Sequence, residues 1–346
     1  VTHSALLHNL YGHSTSMQLG DDERCVSWLP WYHDMGLVGC FLSLIANQVS
    51  GDYLKPDAFA RRPLAWLDLI SRNKGGTLRP DVMQSFVNAF SDAGFKASAF
   101  TPSYGLAEAV LAVTVMPPGE GIRVELVEEE RLSGTPRDLS RPARYRAIVN
   151  CGKTLPDMEV VICDENGDAR GDHQIGKVWC RGPSVMHSYF RNEEATEDCL
   201  VTGTDGEIWL DTGDMGYLAG GYLFIVGRAK DMIIINGKNH WPQDIEWAVE
   251  QLPGFNHGDI AAFSVEKDNG EEAPAVLVHC RVSDPEERVK LREEISDKVR
   301  SVTGMSCVVE LIPPRTLPRT SSGKLSRAKA KKLYLAGEIV PLELAA

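Results

Sequence analysis

Two short stretches concentrate the residues of this chain that could do chemistry. Gly227–Glu246 brings Arg228, Lys230 and Asp231 together at the mouth of the apolar run Met232–Ile235, then closes on Pro242-Gln243-Asp244-Ile245-Glu246. Buried strands normally carry no charge, so charged groups crowded at the end of one mark a candidate site. Arg228 suits anionic oxygens, because a guanidinium stays charged and bonds in a fork. Leu317–Arg327 sets Lys324 after Thr320-Ser321-Ser322-Gly323, a long cation at the tip of a small, hydroxyl-rich loop that can enter a site and leave it. It is not a Walker A loop, which needs Gly where Pro318 stands and Ser or Thr where Leu325 stands. Three weaker signals lie upstream. Tyr104-Gly105-Leu106-Ala107-Glu108 follows the turn Thr101-Pro102-Ser103, and taken alone it is a Gly turn into a helix whose Glu favours the positive N-terminal end. Leu210-Asp211-Thr212-Gly213-Asp214 ends a strand-like run and, alone, is an Asp in a tight turn. His33 stands among Trp28, Trp31 and Tyr32, where a packed structural histidine is the common outcome.

Taken in this order, the motifs resemble the adenylate-forming enzymes, which activate carboxylates with ATP, and most closely the fatty acyl-AMP ligases. That family's pattern is matched by Gly227, Arg228, Lys230, Asp231, Gly237, Asn239, Pro242, Gln243, Asp244, Ile245 and Glu246. Coenzyme A ligases usually carry a Lys after the Ile pair, where this chain has Ile235 and then Asn236. The resemblance implies that Tyr104 and Gly105 meet the nucleotide and that Glu108 holds Mg²⁺, a hard cation that takes carboxylate oxygen and keeps waters. It implies that Asp214 accepts from both ribose hydroxyls, that Arg228 bonds ribose and phosphate oxygens, that Lys230 is a hinge and that His33 lies near the acyl-adenylate in a catalytic role. Lys324 becomes the catalytic residue, since adenylation sets a carboxylate anion against an anionic α-phosphate. The implied reaction is attack of a fatty carboxylate on ATP, giving acyl-AMP and pyrophosphate. The acyl group then passes to the phosphopantetheine thiol of an acyl carrier protein. Two alternatives stay open: an acyl-CoA ligase, and an inactive truncated homologue with a binding or regulatory role.

These residues need elements to position them. Helices are expected over 1–19, 36–46, 63–71 and from Pro80, the last with Val82, Phe86, Val87 and Phe90 on one face. The charged stretch 123–147 reads as an exposed insertion, in the place where the family carries one that restrains lid motion and disfavours coenzyme A. Residues 148–226 alternate short β-rich runs with turn signals. Strands Ile260–Val265, Ala275–Val282 and Cys307–Ile312 then alternate with helices near 243–252 and 285–303. The expected fold is mixed α/β: a partial large adenylation domain over 1–228, with insertion 123–147 and a β-rich subdomain 148–226, and a small C-terminal α/β lid over 229–346. The family's phosphate-binding loop lies just before the segment matching Val1-Thr2-His3. Several family elements are bridged here by Gly75-Gly76-Thr77.

Bulk properties narrow the class. The 346 residues are 43% hydrophobic, enough for about two domains. A net charge of −12 argues against a nucleic-acid partner. Lys324–Lys332 is the one dense basic run, expected as a solvated face. Eight cysteines form no Cys-x-x-Cys pair, which favours reduced thiols and a cytoplasmic location. No membrane span or signal-peptide pattern is read.

Overall fold

The turn signals and apolar runs resolve into two units in the computed structural model, which describes residues 1–20, 23–61, 80–134, 143–235, 238–256, 258–266, 272–319 and 325–344. One unit comprises Val1–Glu128 and Ala143–Val226, the other Glu129–Pro142 and Gly227–Ala346. The expected helix 63–71 and the bridge at 74–78 lie outside the described residues.

In the first unit Thr2 caps the helix His3–Met17, its hydroxyl accepting the Ala5 N–H at 3.1 Å, and Gln18 ends it with φ 52°. That helix packs on the fully buried strand Ala112–Val115. The expected helix 36–46 forms differently: Met35–Leu42 is a π-helix, followed by one α-turn, Ser43–Ala46. Gly36 is required there, because a Cβ would lie 2.2 Å from the Pro30 carbonyl oxygen. Pro80–Phe90 is helical as expected, and Phe86 and Phe90 pack at 4.5 Å between ring centroids. The β-rich region is an antiparallel sheet. Leu200–Thr202, Ile208–Ala219, Gly176–Arg181 and Glu159–Cys163 follow in that order, and Tyr222–Arg228 also pairs with Ile208–Ala219.

The stretch 123–147 is not simply an exposed insertion. Val124–Glu128 and Tyr145–Val149 pair antiparallel from Val124↔Val149 to Glu128↔Tyr145. Val127 and Ile148 are buried, and Glu125 accepts from the Tyr217 hydroxyl at 3.0 Å. Its middle behaves separately: the short helix Glu129–Ser133 groups with the second unit and packs on Lys238–His240 there, burying Leu132. Alternating charges concealed this, because a hairpin's apolar residues fall at every second position.

The second unit is built on a three-stranded sheet. Ile260–Glu266 pairs antiparallel with Glu272–His279, which pairs parallel with Val308–Ile312. The parallel pair is joined through the helix Pro285–Thr303, capped by Asp284 and ended by Gly304 with φ 76°. Both faces of the sheet are covered. Ile260, Ala262, Val276 and Val278 pack under one apolar cluster, Ala261, Phe263, Ala275 and Leu277 under another, which explains the near-continuous apolar runs.

A buried polar relay ties this sheet to the segment that precedes Lys324. His279 Nδ1 lies 3.2 Å from Asp259 Oδ1, and its Nε2 accepts the Leu317 N–H at 3.2 Å. Arg281 donates to both Asp259 oxygens at 2.8 and 3.2 Å. The bond from Leu317 requires an unprotonated Nε2, and burial lowers the His279 pKa against the pull of Asp259. As pH falls, the unfolded chain therefore takes up this proton first. The stability from a neutral His279 is complete above its ordinary value of 6.5 and drains below it until the folded value is passed. Burial would raise Asp259, but Arg281, the Asn256 N–H and His279 together hold it below its ordinary value, so its own contribution is lost only in stronger acid. Unfolding free energies from urea titrations between about pH 8 and about pH 5 should decline by at most about 1.4 kcal/mol per pH unit. His279→Gln, which can still donate and accept, should flatten that decline; an unchanged slope would remove His279 as its source.

Candidate nucleotide site

Asp214 and Tyr104, far apart in sequence, meet in the first unit: the Tyr104 hydroxyl donates to Asp214 Oδ2 at 2.7 Å. The sheet delivers Asp214 through a bulge. The strand runs on past Asp214 to Ala219, but its register against Gly176–Arg181 shifts between Asp211 and Met215. Extra residues of this kind turn a side chain out of the ordinary alternation. The bulge is held locally. Thr212 Oγ1 donates to the Val178 carbonyl at 2.7 Å, and Gly213 takes φ 72° while its N–H bonds Asp211 Oδ1 at 2.9 Å. The Asp214 N–H in turn donates to Thr212 Oγ1 at 3.2 Å. Leu210-Asp211-Thr212-Gly213-Asp214 is thus a bulge inside a long strand rather than the end of one.

Tyr104 lies in Ser103–Gly105, which pairs antiparallel with Ala112–Val115. Gly105 is indispensable, since a Cβ there would lie 1.8 Å from the Leu111 carbonyl oxygen. Burial pushes the Tyr104 phenol well above its ordinary pKa, and the Asp214 charge reinforces this, so it stays a neutral donor. Glu108 follows in the turn Ala107–Ala109. Its Oε1 accepts from the Tyr189 hydroxyl at 2.5 Å and its carbonyl accepts the Met186 N–H at 2.7 Å. Burial and Glu108 together raise the Tyr189 phenol. Nothing in the sequence singled out Tyr189, because its partner lies in a distant segment.

Mg²⁺ can be tested against Glu108. One carboxylate oxygen is engaged by Tyr189, leaving the other available as a hard donor. Among the described residues no group of three or more His, Cys, Asp or Glu gathers as a metal site. A single hard carboxylate oxygen is a donor of the kind Mg²⁺ takes.

His33 is half-buried, its Nδ1 2.6 Å from Asp34 Oδ1 and also accepting the Met35 N–H at 3.2 Å. Asp34 caps the π-helix Met35–Leu42 that follows, a feature that often marks functional positions. All eight cysteines are free thiols.

Arg228, Lys230 and the Lys324 motif belong to the second unit. Lys230 lies in the turn Ala229–Asp231, a few residues past the division between the units. Gly227 is required, because a Cβ would lie 2.5 Å from the Trp241 ring. Lys324 itself lies outside the described residues; Arg319 and Leu325, on either side, form a β-bridge. The expectation that Lys324–Lys332 is a solvated basic face fails at Arg327. This guanidinium bonds both Glu246 oxygens at 2.7 Å and Asp231 Oδ2 at 2.9 Å. Glu246 is buried and also accepts the Ala262 N–H at 3.0 Å. Arg327 thereby ties the two motifs together through their last charged residues, a contact that sequence spacing cannot reveal.

Residues 73–190 match the AMP-binding enzyme family. A Caulobacter vibrioides protein named as an acyl-CoA synthetase is 39% identical over 379 residues, covering 97% of this chain and 65% of its own. That alignment is longer than the 346-residue chain, so the relative carries stretches without a counterpart here. A medium-chain-fatty-acid–[acyl-carrier-protein] ligase of Moorena producens is 30% identical, covering 98% of this chain and 65% of its own. The chain thus spans about two thirds of the length of these curated relatives. A structure from work on fatty acyl-adenylate ligases of E. coli and L. pneumophila matches with TM-score 0.87 at 36% identity, covering 98% of this chain and 67% of that one. Among the described residues no helix is long and apolar enough to cross a membrane. With the motifs in family order, the Asp214–Tyr104 pair formed and a solved relative matched across nearly the whole chain, this protein belongs to the fatty acyl-AMP ligase family of AMP-binding enzymes.

Proposed function

We propose that the protein is a cytoplasmic enzyme that activates a fatty acid with ATP to an acyl-adenylate and passes the acyl group to the phosphopantetheine thiol of an acyl carrier protein. The observation that carries this reading is the Tyr104–Asp214 hydrogen bond. It builds a neutral donor and a charged acceptor into one wall, suited to a ribose and its base. In this reading Asp214 takes both ribose hydroxyls, Tyr104 and Gly105 line the nucleotide, and Arg228 bonds ribose and phosphate oxygens. Glu108 holds Mg²⁺, which when bound neutralises phosphate charge. Lys324 stabilises charge at the attacked phosphorus, His33 stands near the acyl-adenylate, and Lys230 is the hinge between the two half-reactions. Pyrophosphate exchange with fatty acids of graded length, with and without Mg²⁺, tests it; no exchange with any fatty acid would defeat it.

A second reading, an acyl-CoA ligase, is favoured by the name of the 39%-identical relative. The charged insertion separates the two. Its middle, Glu129–Pro142, groups with the second unit while its flanking strands belong to the first, which supports a restraint on lid motion. Deleting all of 123–147 would destroy a paired hairpin. The informative variant replaces 129–144 with Asn-Gly, a two-residue turn able to close the Glu128↔Tyr145 pair. It should still form acyl-AMP and should gain thioester formation with coenzyme A. A folded, adenylating variant that gains no such activity would place acceptor choice in the coenzyme-binding surface instead.

A further inference from the structure

Immediately after Glu108 the backbone does something costly. Val110 has φ 69° and ψ −59°, and Leu111 N–H bonds the Ala109 carbonyl at 2.9 Å, closing a three-residue turn around it. This conformation is rare and strained, and a β-branched residue tolerates positive φ worst of all. The turn nevertheless has a purpose. It folds Leu111 back across Gly105, so that Ala112–Val115 can pair with Ser103–Gly105 while Glu108 is left at the tip. Strain of this kind persists only where the surroundings over-determine it.

The restraint comes from Asn9, whose side chain is 0% exposed on the helix His3–Met17. Asn9 Nδ2 donates to the Ala109 carbonyl at 3.1 Å and to the Ala112 carbonyl at 2.8 Å, and Oδ1 accepts the Ala112 N–H at 3.2 Å. One amide thus grips the backbone on both sides of Val110. Met186 and Tyr189 hold Glu108 through its carbonyl and its carboxylate. We propose that Asn9 is a positioning residue for the nucleotide site: it keeps the strained turn at Val110 closed and so fixes where Glu108 and Tyr104 stand. Its catalytic consequence rests on the function proposed above; its structural part does not.

Two variants weaken the grip by different routes. Asn9→Ala removes all three bonds. Asn9→Asp keeps an acceptor for the Ala112 N–H but turns a carboxylate toward two carbonyls. In the unliganded protein either should speed hydrogen exchange of the Leu111 and Ala112 amides about tenfold, the scale of losing a buried hydrogen bond, while Ile260–Glu266 in the other unit stays unchanged. The Mg²⁺ concentration for half-maximal pyrophosphate exchange should rise by a similar factor. Val110→Gly supplies the discriminating background, because glycine takes positive φ without steric cost. There the shift caused by Asn9→Ala should shrink below about twofold, whereas a residue that only fills the core would give equal shifts in both backgrounds. Unchanged exchange at Leu111 and Ala112 in both Asn9 variants, or a full shift in the Val110→Gly background, would overturn the proposal. If Glu108→Gln leaves the Mg²⁺ requirement unaltered, the metal assignment falls instead, and the exchange measurement still decides the role of Asn9.

Discussion

Asp214→Ala is expected to weaken binding of ATP and acyl-AMP by roughly 2–5 kcal/mol, the loss of two charge-assisted hydrogen bonds to a ribose. The bulge adds a second consequence. Tyr104 donates to Asp214, so the substitution also strips a partly buried phenol of its acceptor. Tyr104→Phe separates these effects. It removes the donor but leaves the carboxylate, and should cost only about 0.5–1.5 kcal/mol of nucleotide affinity, the scale of one neutral hydrogen bond. Calorimetry on both variants decides the matter. Equal losses would mean that Asp214 acts only by holding Tyr104, and an unchanged affinity for Asp214→Ala would end the ribose assignment.

Lys324→Ala is expected to lower pyrophosphate exchange by at least about 100-fold, the scale of removing one electrostatic stabiliser of a transition state. Transfer from supplied acyl-AMP should be largely spared, since the charge that Lys324 neutralises arises only while the carboxylate attacks phosphorus. Nucleotide affinity should change far less than the rate. Exchange at the native rate would take Lys324 out of the mechanism. An equal loss in both half-reactions would show that the residue supports the lid as a whole rather than one step. Arg327 is the useful contrast, because its guanidinium is already paired with Glu246 and Asp231.

The sequence by itself determined the chemistry of the parts. Gly227–Glu246 and Leu317–Arg327 were legible because charge beside apolar runs, and Gly beside Lys, are local facts. So were the helices from Pro80 and Pro285 and the strands of the second unit, whose apolar runs follow from a sheet covered on both faces. Tertiary structure alone decided the contacts between distant segments. The Asp-Thr-Gly-Asp run reads as a turn in sequence; only its neighbour Gly176–Arg181 shows the register shift that makes it a bulge aimed at Tyr104. The insertion's charges masked a paired hairpin, and the basic run masked Arg327 between two carboxylates. Asn9 carried no signal at all, since an asparagine in an opening helix is ordinary until the backbone it grips is known to be strained. Periodicity reports which face of an element is buried, but hydrogen bonds across about a hundred residues depend on where the chain returns, and that is set by the packing of the whole unit.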